Sequence, residues 1–318
     1  MTDVAVGVDI GGTSCRALAV SPTGAALGRG AAEGGNPNSH PPKVAASRVA
    51  STIAAAVPAG GSVVACQLGV AGASKFSDPA IVAVFESALR DVGVTCRIDV
   101  VSDAEVAFAS ATAAPCGTVI VGGTGSVAAR IVDRKKTSWY GGWGWLLGDE
   151  GSAYWIGRQA VRSTLRLLEG DGEPGPLALA VLAEAIDSPT VSFDDVAWRR
   201  QTIYRLITAA NAEPPIRLAR FASMVSTHAP ADPVAAAIVK EAAELLAEHA
   251  RATRTPGETT PIVLAGSVIG PGSPVGQALR ERLTHEAEVL FSPDGAVGAA
   301  WLAALTAWGP DAPRPLTN

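Results

Sequence analysis

Two glycine turns of similar composition, about a hundred residues apart, place the strongest constraint on the fold of this chain. The first turn, Asp9-Ile10-Gly11-Gly12-Thr13, separates two apolar runs, and the second, Gly122-Gly123-Thr124-Gly125-Ser126, does the same. Apolar runs joined by such turns predict β-hairpins. Glycine lets backbone N–H groups approach a ligand and form an anion nest, so each turn predicts a phosphate-binding loop. For either turn alone, an ordinary glycine hairpin is the alternative.

The residues beside these turns indicate which phosphate chemistry to expect. Asp9 ends the first apolar run, and a carboxylate at that place is where Mg²⁺ bound to phosphates would be held. The sequence has no Gly-x-x-x-x-Gly-Lys-Ser/Thr, and no Gly-x-Gly-x-x-Gly opens a helix after the first strand. P-loop chemistry is thereby excluded and a Rossmann dehydrogenase disfavoured. The pair of hairpins resembles actin-like and hexokinase-like phosphotransferases, in which two lobes each offer a loop to one nucleotide.

Composition narrows the class of protein further. The chain has 318 residues, is 48% hydrophobic and 17% charged, and carries a formal net charge of −5. These values predict a globular protein of two domains without the basic surface that binds nucleic acid. No stretch is long and apolar enough to span a membrane, and the first residues run directly into a strand, so we expect a cytoplasmic protein. The four cysteines lie far apart in apolar surroundings, which predicts buried thiols.

The order of apolar patterns predicts an α/β fold with mixed sheets. We expect an N-terminal α/β lobe over 1–113 and a larger C-terminal lobe over 114–295, whose section 150–255 is helical and is interrupted by prolines such as Pro189. The final helix, 296–308, is expected to pack back on the first lobe. The proline-rich tail, 309–318, is expected to be flexible.

Asp103 is the strongest candidate for a catalytic residue. It follows the apolar strand predicted over 95–101, and ligands of open α/β sheets sit outside the carboxyl ends of the strands. A carboxylate there can take the proton of a substrate hydroxyl that attacks phosphorus. Asp103 also precedes an apolar helix, so an N-cap is the alternative, and the two roles do not exclude one another.

A glycine-dense loop over 141–152 predicts a sugar site. Four of the seven tryptophans lie in or beside it, and a carboxylate such as Asp149 can accept hydrogen bonds from two hydroxyls of one sugar ring. The alternative is structural, because Asp149 and Glu150 could open the helix that follows.

The loop sequence Gly-Trp-Gly-Trp-Leu-Leu-Gly-Asp-Glu-Gly-Ser at 142–152, which continues to Gly157, resembles the sugar-site signature of N-acetylglucosamine kinases. These kinases are grouped with the BadF/BadG-type ATPases of the actin/hexokinase superfamily, and the resemblance covers nearly the whole chain. It implies a two-lobed ribonuclease H-like fold that uses ATP and Mg²⁺. Asp103 is then the catalytic base, Asp9 the Mg²⁺ residue, and both hairpins bind phosphate.

The resemblance also assigns further residues. The run 264–268 resembles the adenosine motif, in which Gly266 and Ser267 approach the nucleotide. The run 69–74, which ends at Ser74, resembles a loop that supports the sugar, and Asn36 resembles a sugar-contacting asparagine. Together with these, Thr124, Asp103 and Asp149 are expected at the sugar. A homodimer is a family expectation.

The substrate is expected to be a small amino sugar. The chain resembles actinobacterial kinases of free glucosamine, which implies phosphorylation of its 6-hydroxyl, and N-acetylglucosamine is the alternative. A free amine is a cation at neutral pH and would be favoured by unpaired carboxylates near C2. The candidates for such carboxylates lie in the helical section: Glu173, Glu184, Asp194 and Asp195.

Three other classes of protein are less favoured by the sequence. An activator ATPase of a 2-hydroxyacyl-CoA dehydratase shares both hairpins, but it bridges a [4Fe–4S] cluster across a dimer with cysteines, and the cysteines here are scattered. A sugar kinase of the ROK group would have a zinc cluster that has no counterpart here. A non-catalytic sugar sensor would not need the carboxylates that this chain retains.

Overall fold

The computed structural model describes residues 2–187 and 192–315. Pro189 and the last part of the predicted tail, 316–318, lie outside the described residues. The chain forms two compact units. Among the described residues, unit 1 is drawn from Met1–Val119, Ile131–Thr137 and Ser292–Asn318, and unit 2 from Ile120–Arg130 and Ser138–Phe291.

The described strands and helices alternate in the first part of the chain, and helices dominate the middle. The strands are β1 (Thr2–Ile10), β2 (Ser14–Val20), β3 (Ala26–Glu33), β4 (Gly61–Val70), β5 (Ile98–Ser102), β6 (Gly117–Gly122), β7 (Ser126–Val132), β8 (Lys135–Gly141), β9 (Ile262–Ala265) and β10 (Val289–Phe291). The helices are α1 (Pro42–Ala56), α2 (Pro79–Asp91), α3 (Asp103–Ala111), α4 (Ala153–Glu169), α5 (Pro176–Ile186), α6 (Val196–Asn211), α7 (Ala222–His228), α8 (Pro233–Ala252), α9 (Pro274–Leu283) and α10 (Gly295–Trp308).

Unit 1 contains a mixed five-stranded sheet in the order β3-β2-β1-β4-β5. The central strand β1 pairs antiparallel with β2 and parallel with β4, and β4 pairs parallel with β5. Because side chains alternate along a strand, Val4, Val6 and Val8 pack with α1 and α2, and Ala5 packs with α10 on the opposite face. Helices thus cover both faces of the sheet, and the carboxyl ends of β1, β4 and β5 lie at one edge.

Unit 2 is organised by a second sheet, in which the strand order is β10-β9-β6-β7-β8. Its largest hydrophobic cluster joins the sheet to helices α4, α5, α7, α8 and α9, through residues such as Ile120, Leu264, Val161, Leu182 and Leu246. The helical section lies between β8 and β9 in sequence. The predicted α/β class with mixed sheets is confirmed.

Several elements differ from the sequence-based expectation. Strands β3 and β8 were not expected, because one is rich in glycine and alanine and the other is exposed and polar, so neither shows a clear apolar alternation. The helix expected from Glu150 begins at Ala153. Within the section 150–255 that was expected to be helical, Pro215–Phe221 forms a 3₁₀ helix that is followed by α7.

The described part of the tail is held against unit 1. Ala312 is buried, and its carbonyl oxygen accepts a 3.0 Å hydrogen bond from the indole N–H of Trp301. Arg314 stacks on the Trp301 ring and donates to the carbonyls of Ala109 and Ser110. Ala312 and Arg314 thus attach this part of the tail to unit 1, and the expected flexibility of 309–318 stays a prediction. Within residues 2–187 and 192–315, no helix has the length and apolar content needed to cross a membrane.

Gly7 tests the packing of α10 on the central strand. A Cβ atom at Gly7 would overlap the backbone of Ala299 and Ala300. We expect Gly7→Ala to destabilise the protein by more than about 3 kcal/mol, because backbone atoms cannot rotate away as a side chain can. Urea unfolding followed by circular dichroism measures the change. The control is Gly272→Ala, where a Cβ meets open space, and it should stay within about 0.5 kcal/mol of the parent protein. Equal unfolding midpoints for both variants would contradict the close seating of α10.

Candidate functional site

The first glycine turn closes a tight hairpin between β1 and β2. The Gly11 N–H donates a 2.9 Å hydrogen bond to the Ser14 carbonyl, and Thr13 at the tip is exposed. Asp9 lies at the end of β1, where its Oδ2 accepts a 2.9 Å charged hydrogen bond from Arg16 on β2. Burial raises the pKa of Asp9 despite the opposing effect of Arg16. The predicted position of Asp9 beside the turn is therefore found.

Asp9 belongs to a network of charges that the sequence did not suggest. Arg16 also lies 3.8 Å from Asp294, and Asp294 pairs with Arg29 at 2.9 Å. Asp294 is the N-cap of α10 and accepts from the Ala296 N–H. The cap pattern of an aspartate before an apolar helix was a signal that could have singled it out.

The donor set around Asp9 suits a Mg²⁺ ion that is bound mainly by phosphates. Mg²⁺ in such sites takes one or two carboxylates and completes its shell with waters and phosphate oxygens. Asp9 and Asp294 supply hard carboxylate oxygens beside the glycine turn, and Arg16 pairs with the Oδ2 atom of Asp9. Among the described residues, no three His, Cys, Asp or Glu side chains cluster as a metal site.

Asp103 is the first residue of α3, directly after the carboxyl end of β5. The N-cap is the preceding residue, Ser102, which forms a capping box with Glu105. The side chain of Asp103 accepts a 2.9 Å hydrogen bond from the Ala104 N–H. Burial raises the pKa of Asp103 to about 6; the Ala104 N–H opposes this, and the negative charge of Asp9 adds to it. A carboxyl with this pKa is ionised at neutral pH and can accept a proton.

The Asn36 loop and the loop after β4 are joined by hydrogen bonds. Asn36 is buried, its Nδ2 donates to the Ala71 carbonyl at 2.8 Å, and its Oδ1 accepts from the Asn38 N–H at 2.8 Å. Exposed Asn38, which the sequence did not single out, donates to the Gly72 carbonyl at 2.9 Å. Asn36 therefore holds two loops together. Ser74 is exposed in the 3₁₀ helix that follows.

In unit 2, the second glycine hairpin contacts the Gly-Asp-Glu loop directly. The Ser126 N–H donates a 3.1 Å hydrogen bond to Asp149 Oδ1, and the Ser126 hydroxyl donates to the Glu150 carbonyl at 2.7 Å. A Cβ at Gly125 would lie only 2.8 Å from both carboxylate oxygens of Asp149, so glycine is needed for this approach. Burial raises the pKa of Asp149, and the bond from Ser126 acts against that rise.

The alternative role of Asp149 as a helix cap is not what the structure shows. The N-cap of α4 is Ser152, whose side chain accepts from the Trp155 N–H. Asp149 instead has a positive φ of 60°, which is uncommon for a residue other than glycine. The same helix start is tied to the hairpin, because the Ala153 and Tyr154 N–H groups donate to the carbonyls of Gly123 and Thr124.

The Gly266 loop also packs on the second hairpin. A Cβ at Gly266 would overlap the Gly122 carbonyl, and that carbonyl accepts a 3.1 Å hydrogen bond from the Val268 N–H. Ser267 is exposed and lines a cavity of about 540 Å³ together with the loop before α9 and residues of α7, among them Ser223. Of the two residues expected at the adenosine, Ser267 therefore borders a cavity large enough for a nucleoside, and Gly266 does not line it. The α9 N-terminus begins only at Pro274.

The predicted residues thus form two sets within the units. Unit 1 holds the set Asp9, Gly11, Gly12, Thr13, Asn36, Ser74 and Asp103. Unit 2 holds the set Thr124, Gly125, Ser126, Asp149, Gly266 and Ser267. In each unit a glycine turn and a carboxylate lie together, as expected of a protein that binds phosphate and a polar acceptor.

Two curated proteins are similar to part of this chain. An N-acetylmuramic acid/N-acetylglucosamine kinase from Clostridium acetobutylicum is 36% identical over 106 residues, 33% of this chain and 34% of that protein. An N-acetyl-D-glucosamine kinase from Dictyostelium discoideum is 32% identical over 132 residues, 41% of this chain and 40% of that protein. The chain therefore spans well under half the length of the curated relatives it matches.

A solved structure extends the similarity to nearly the full chain. A protein from Chromobacterium violaceum, provisionally assigned as an N-acetylglucosamine kinase, superimposes with a TM-score of 0.71 at 26% identity, covering 94% of this chain and 98% of that one. This similarity confirms the predicted actin/hexokinase-like fold. The model of the BadF/BadG/BcrA/BcrD ATPase family matches residues 6–303, and the chain belongs to that family.

Proposed function

We propose that this protein is an amino-sugar kinase that transfers the γ-phosphoryl group of ATP to the 6-hydroxyl of N-acetylglucosamine, with glucosamine as the second candidate. The observation that carries the proposal is the hydrogen bond from the Ser126 N–H to Asp149. It joins a loop suited to phosphate to a carboxylate suited to sugar hydroxyls. The family membership supports ATP as the phosphoryl donor.

Each group has a separate task in this proposal. Asp103 takes the proton of the attacking hydroxyl, which its raised pKa permits at neutral pH. Asp149 accepts hydrogen bonds from sugar hydroxyls, and Asn36 and Ser74 belong to the loops that shape the sugar site. Phosphoryl transfer requires mainly positioning and charge stabilisation, so the rigidity of these loops is part of the chemistry.

The nucleotide is proposed to lie on three features. The turns Gly11–Thr13 and Thr124–Ser126 offer backbone N–H groups to phosphate oxygens. Ser267 lines the cavity proposed for the adenosine, and Gly266 precedes it in the same loop. Mg²⁺, when bound near Asp9, would neutralise phosphate charge during transfer.

Of the four carboxylates expected to recognise a free amine at C2, two have other partners and two are exposed. Asp195 is the N-cap of α6 and accepts from two backbone N–H groups, and Glu184 lies 3.6 Å from Arg220. Glu173 and Asp194 are exposed, which is typical of solvated surface carboxylates. The names of the relatives also include N-acetylglucosamine, so the acetylated sugar is preferred over glucosamine in this proposal.

A panel of sugars tests the proposed function. Coupled ADP release should be measured with ATP and Mg²⁺ and with N-acetylglucosamine, glucosamine, N-acetylmuramic acid or glucose in parallel reactions. We expect the highest kcat/KM with N-acetylglucosamine. A preference for glucosamine would still support an amino-sugar kinase, but it would contradict the proposed preference for an acetylated group at C2. Absence of any sugar-dependent ADP release would refute the proposed function.

Asp103→Asn tests the catalytic base. The variant should lose about 10²–10⁴ in kcat, the usual contribution of a general base, with a smaller change in sugar affinity. Ionised Asp103 has a pKa raised from 3.8 to about 6, so its charge costs stability above that range, and the variant should unfold at an equal or higher temperature. Near-normal kcat in a folded variant would leave Asp103 with no catalytic role.

The pH dependence of kcat/KM gives a second measure of the same group. Asp103 must be deprotonated to accept a proton, and its pKa of about 6 in the ligand-free protein predicts that kcat/KM falls as the pH drops through that value. The decline should approach tenfold per pH unit. The residual activity of Asp103→Asn should lack this decline, and a wild-type profile that stays level down to pH 4.5 would contradict the assignment.

A further inference from the structure

His249, in the last turn of α8, is buried beside the Gly-Asp-Glu loop. Its ring centroid lies 5.2 Å from that of Tyr140, and its Nε2 lies 3.8 Å from Glu150 Oε2. The second distance is too long for a direct hydrogen bond, and the contact becomes an ion pair only when the imidazole is protonated. The ring thus touches the chain just before the loop begins and reaches the carboxylate next to Asp149.

The two ends of the loop approach α8 unusually closely. A Cβ at Gly141 would lie 3.3 Å from Cε1 and Nδ1 of His249, and a Cβ at Gly151 would lie 2.6 Å from Leu246 Cγ. Both glycines have φ near +75°, a conformation that favours glycine. One face of α8, carrying Leu246 and His249, therefore supports both ends of the loop that contains Asp149.

The chemistry of His249 is not explained by packing alone. Its Nδ1 is buried and has no hydrogen-bond partner among the described residues. An apolar ring of similar size would fill the space without burying such a group, which is unfavourable. Burial lowers the pKa of His249, while the facing carboxylates Glu150, Glu248 and Asp149 act in the opposite direction. The polar ring next to Glu150 thus requires a role other than filling volume.

We propose that His249 is a positioning residue for sugar binding, which holds Glu150 and the Gly141 end of the loop so that Asp149 keeps its place on Ser126. This inference rests on the proposed function, because it assigns Asp149 to the sugar. Nothing in it requires His249 to touch the substrate. Its effect should therefore appear in sugar affinity and not in the use of ATP.

The test compares two substitutions at one position. His249→Phe keeps an aromatic ring against Tyr140 and removes both nitrogens, and His249→Gln keeps a polar group that can reach Glu150. We expect His249→Phe to raise the sugar KM about tenfold, with the ATP KM within about twofold, because a small displacement of a binding group is costly. His249→Gln should restore most of the sugar affinity.

A control and a second variant separate positioning from general destabilisation. Ile238→Val shortens a buried side chain of α8 that is remote in sequence from His249, and it should leave both KM values unchanged. Glu150→Gln should raise the sugar KM as His249→Phe does, and the double variant should be less than additive, because the two residues act through one contact. If His249→Phe does not fold, Glu150→Gln alone serves as the test, and an unchanged sugar KM in that variant would overturn the proposal.

The loop tryptophans provide a readout that does not depend on turnover. Trp143 and Trp145 are partly exposed, so their fluorescence quenching by acrylamide reports loop order. We expect greater quenching in His249→Phe than in Ile238→Val. Unchanged quenching together with an unchanged sugar KM would overturn the proposal. If the wild-type protein phosphorylates no sugar, the proposed function fails. Greater quenching in His249→Phe would then still show that His249 holds the loop in place.

Discussion

The hydrogen bond between the Ser126 N–H and the Asp149 carboxylate is the interaction on which unit 2 depends for its candidate site. It requires glycine at position 125, because a side chain there would collide with the carboxylate. It also fixes the backbone at Asp149 in a left-handed conformation, which is costly unless the surroundings hold it. A buried carboxylate on a strained backbone lowers the stability of the fold, and proteins commonly retain such unfavourable local features at functional sites.

The same hairpin organises the neighbouring elements. The carbonyls of Gly123 and Thr124 accept hydrogen bonds from the first residues of α4. The Gly122 carbonyl accepts one from the Val268 N–H in the loop after β9. The second glycine turn, the Gly-Asp-Glu loop and the Gly266 loop are therefore connected through one short segment of backbone. A shift of the hairpin would move both loops, and in the proposed function this connection would couple sugar recognition to nucleotide binding.

In unit 1, neighbouring carboxylates and arginines determine the charge of the candidate site. Asp9, Asp103 and Asp294 are carboxylates in or near the edge where β1 and β5 end, and the negative charge of Asp9 helps to raise the pKa of Asp103. Arg16 and Arg29 compensate the charges of Asp9 and Asp294. Burial and the negative charge of Asp9 therefore raise the proton affinity of Asp103, while Asp9 stays paired with Arg16.

The sequence by itself determined the two glycine hairpins, the α/β class, the helical section and the carboxylates Asp9, Asp103 and Asp149, because each depends on local periodicity or on turn chemistry. Contacts between residues distant in sequence decided the rest. Strands β3 and β8 form despite weak apolar alternation because neighbouring strands supply their partners. Asn36 links two loops, and Asp149 accepts a hydrogen bond from Ser126 instead of capping a helix. His249 lies beside Glu150. Each of these contacts joins residues that only the folded chain brings together.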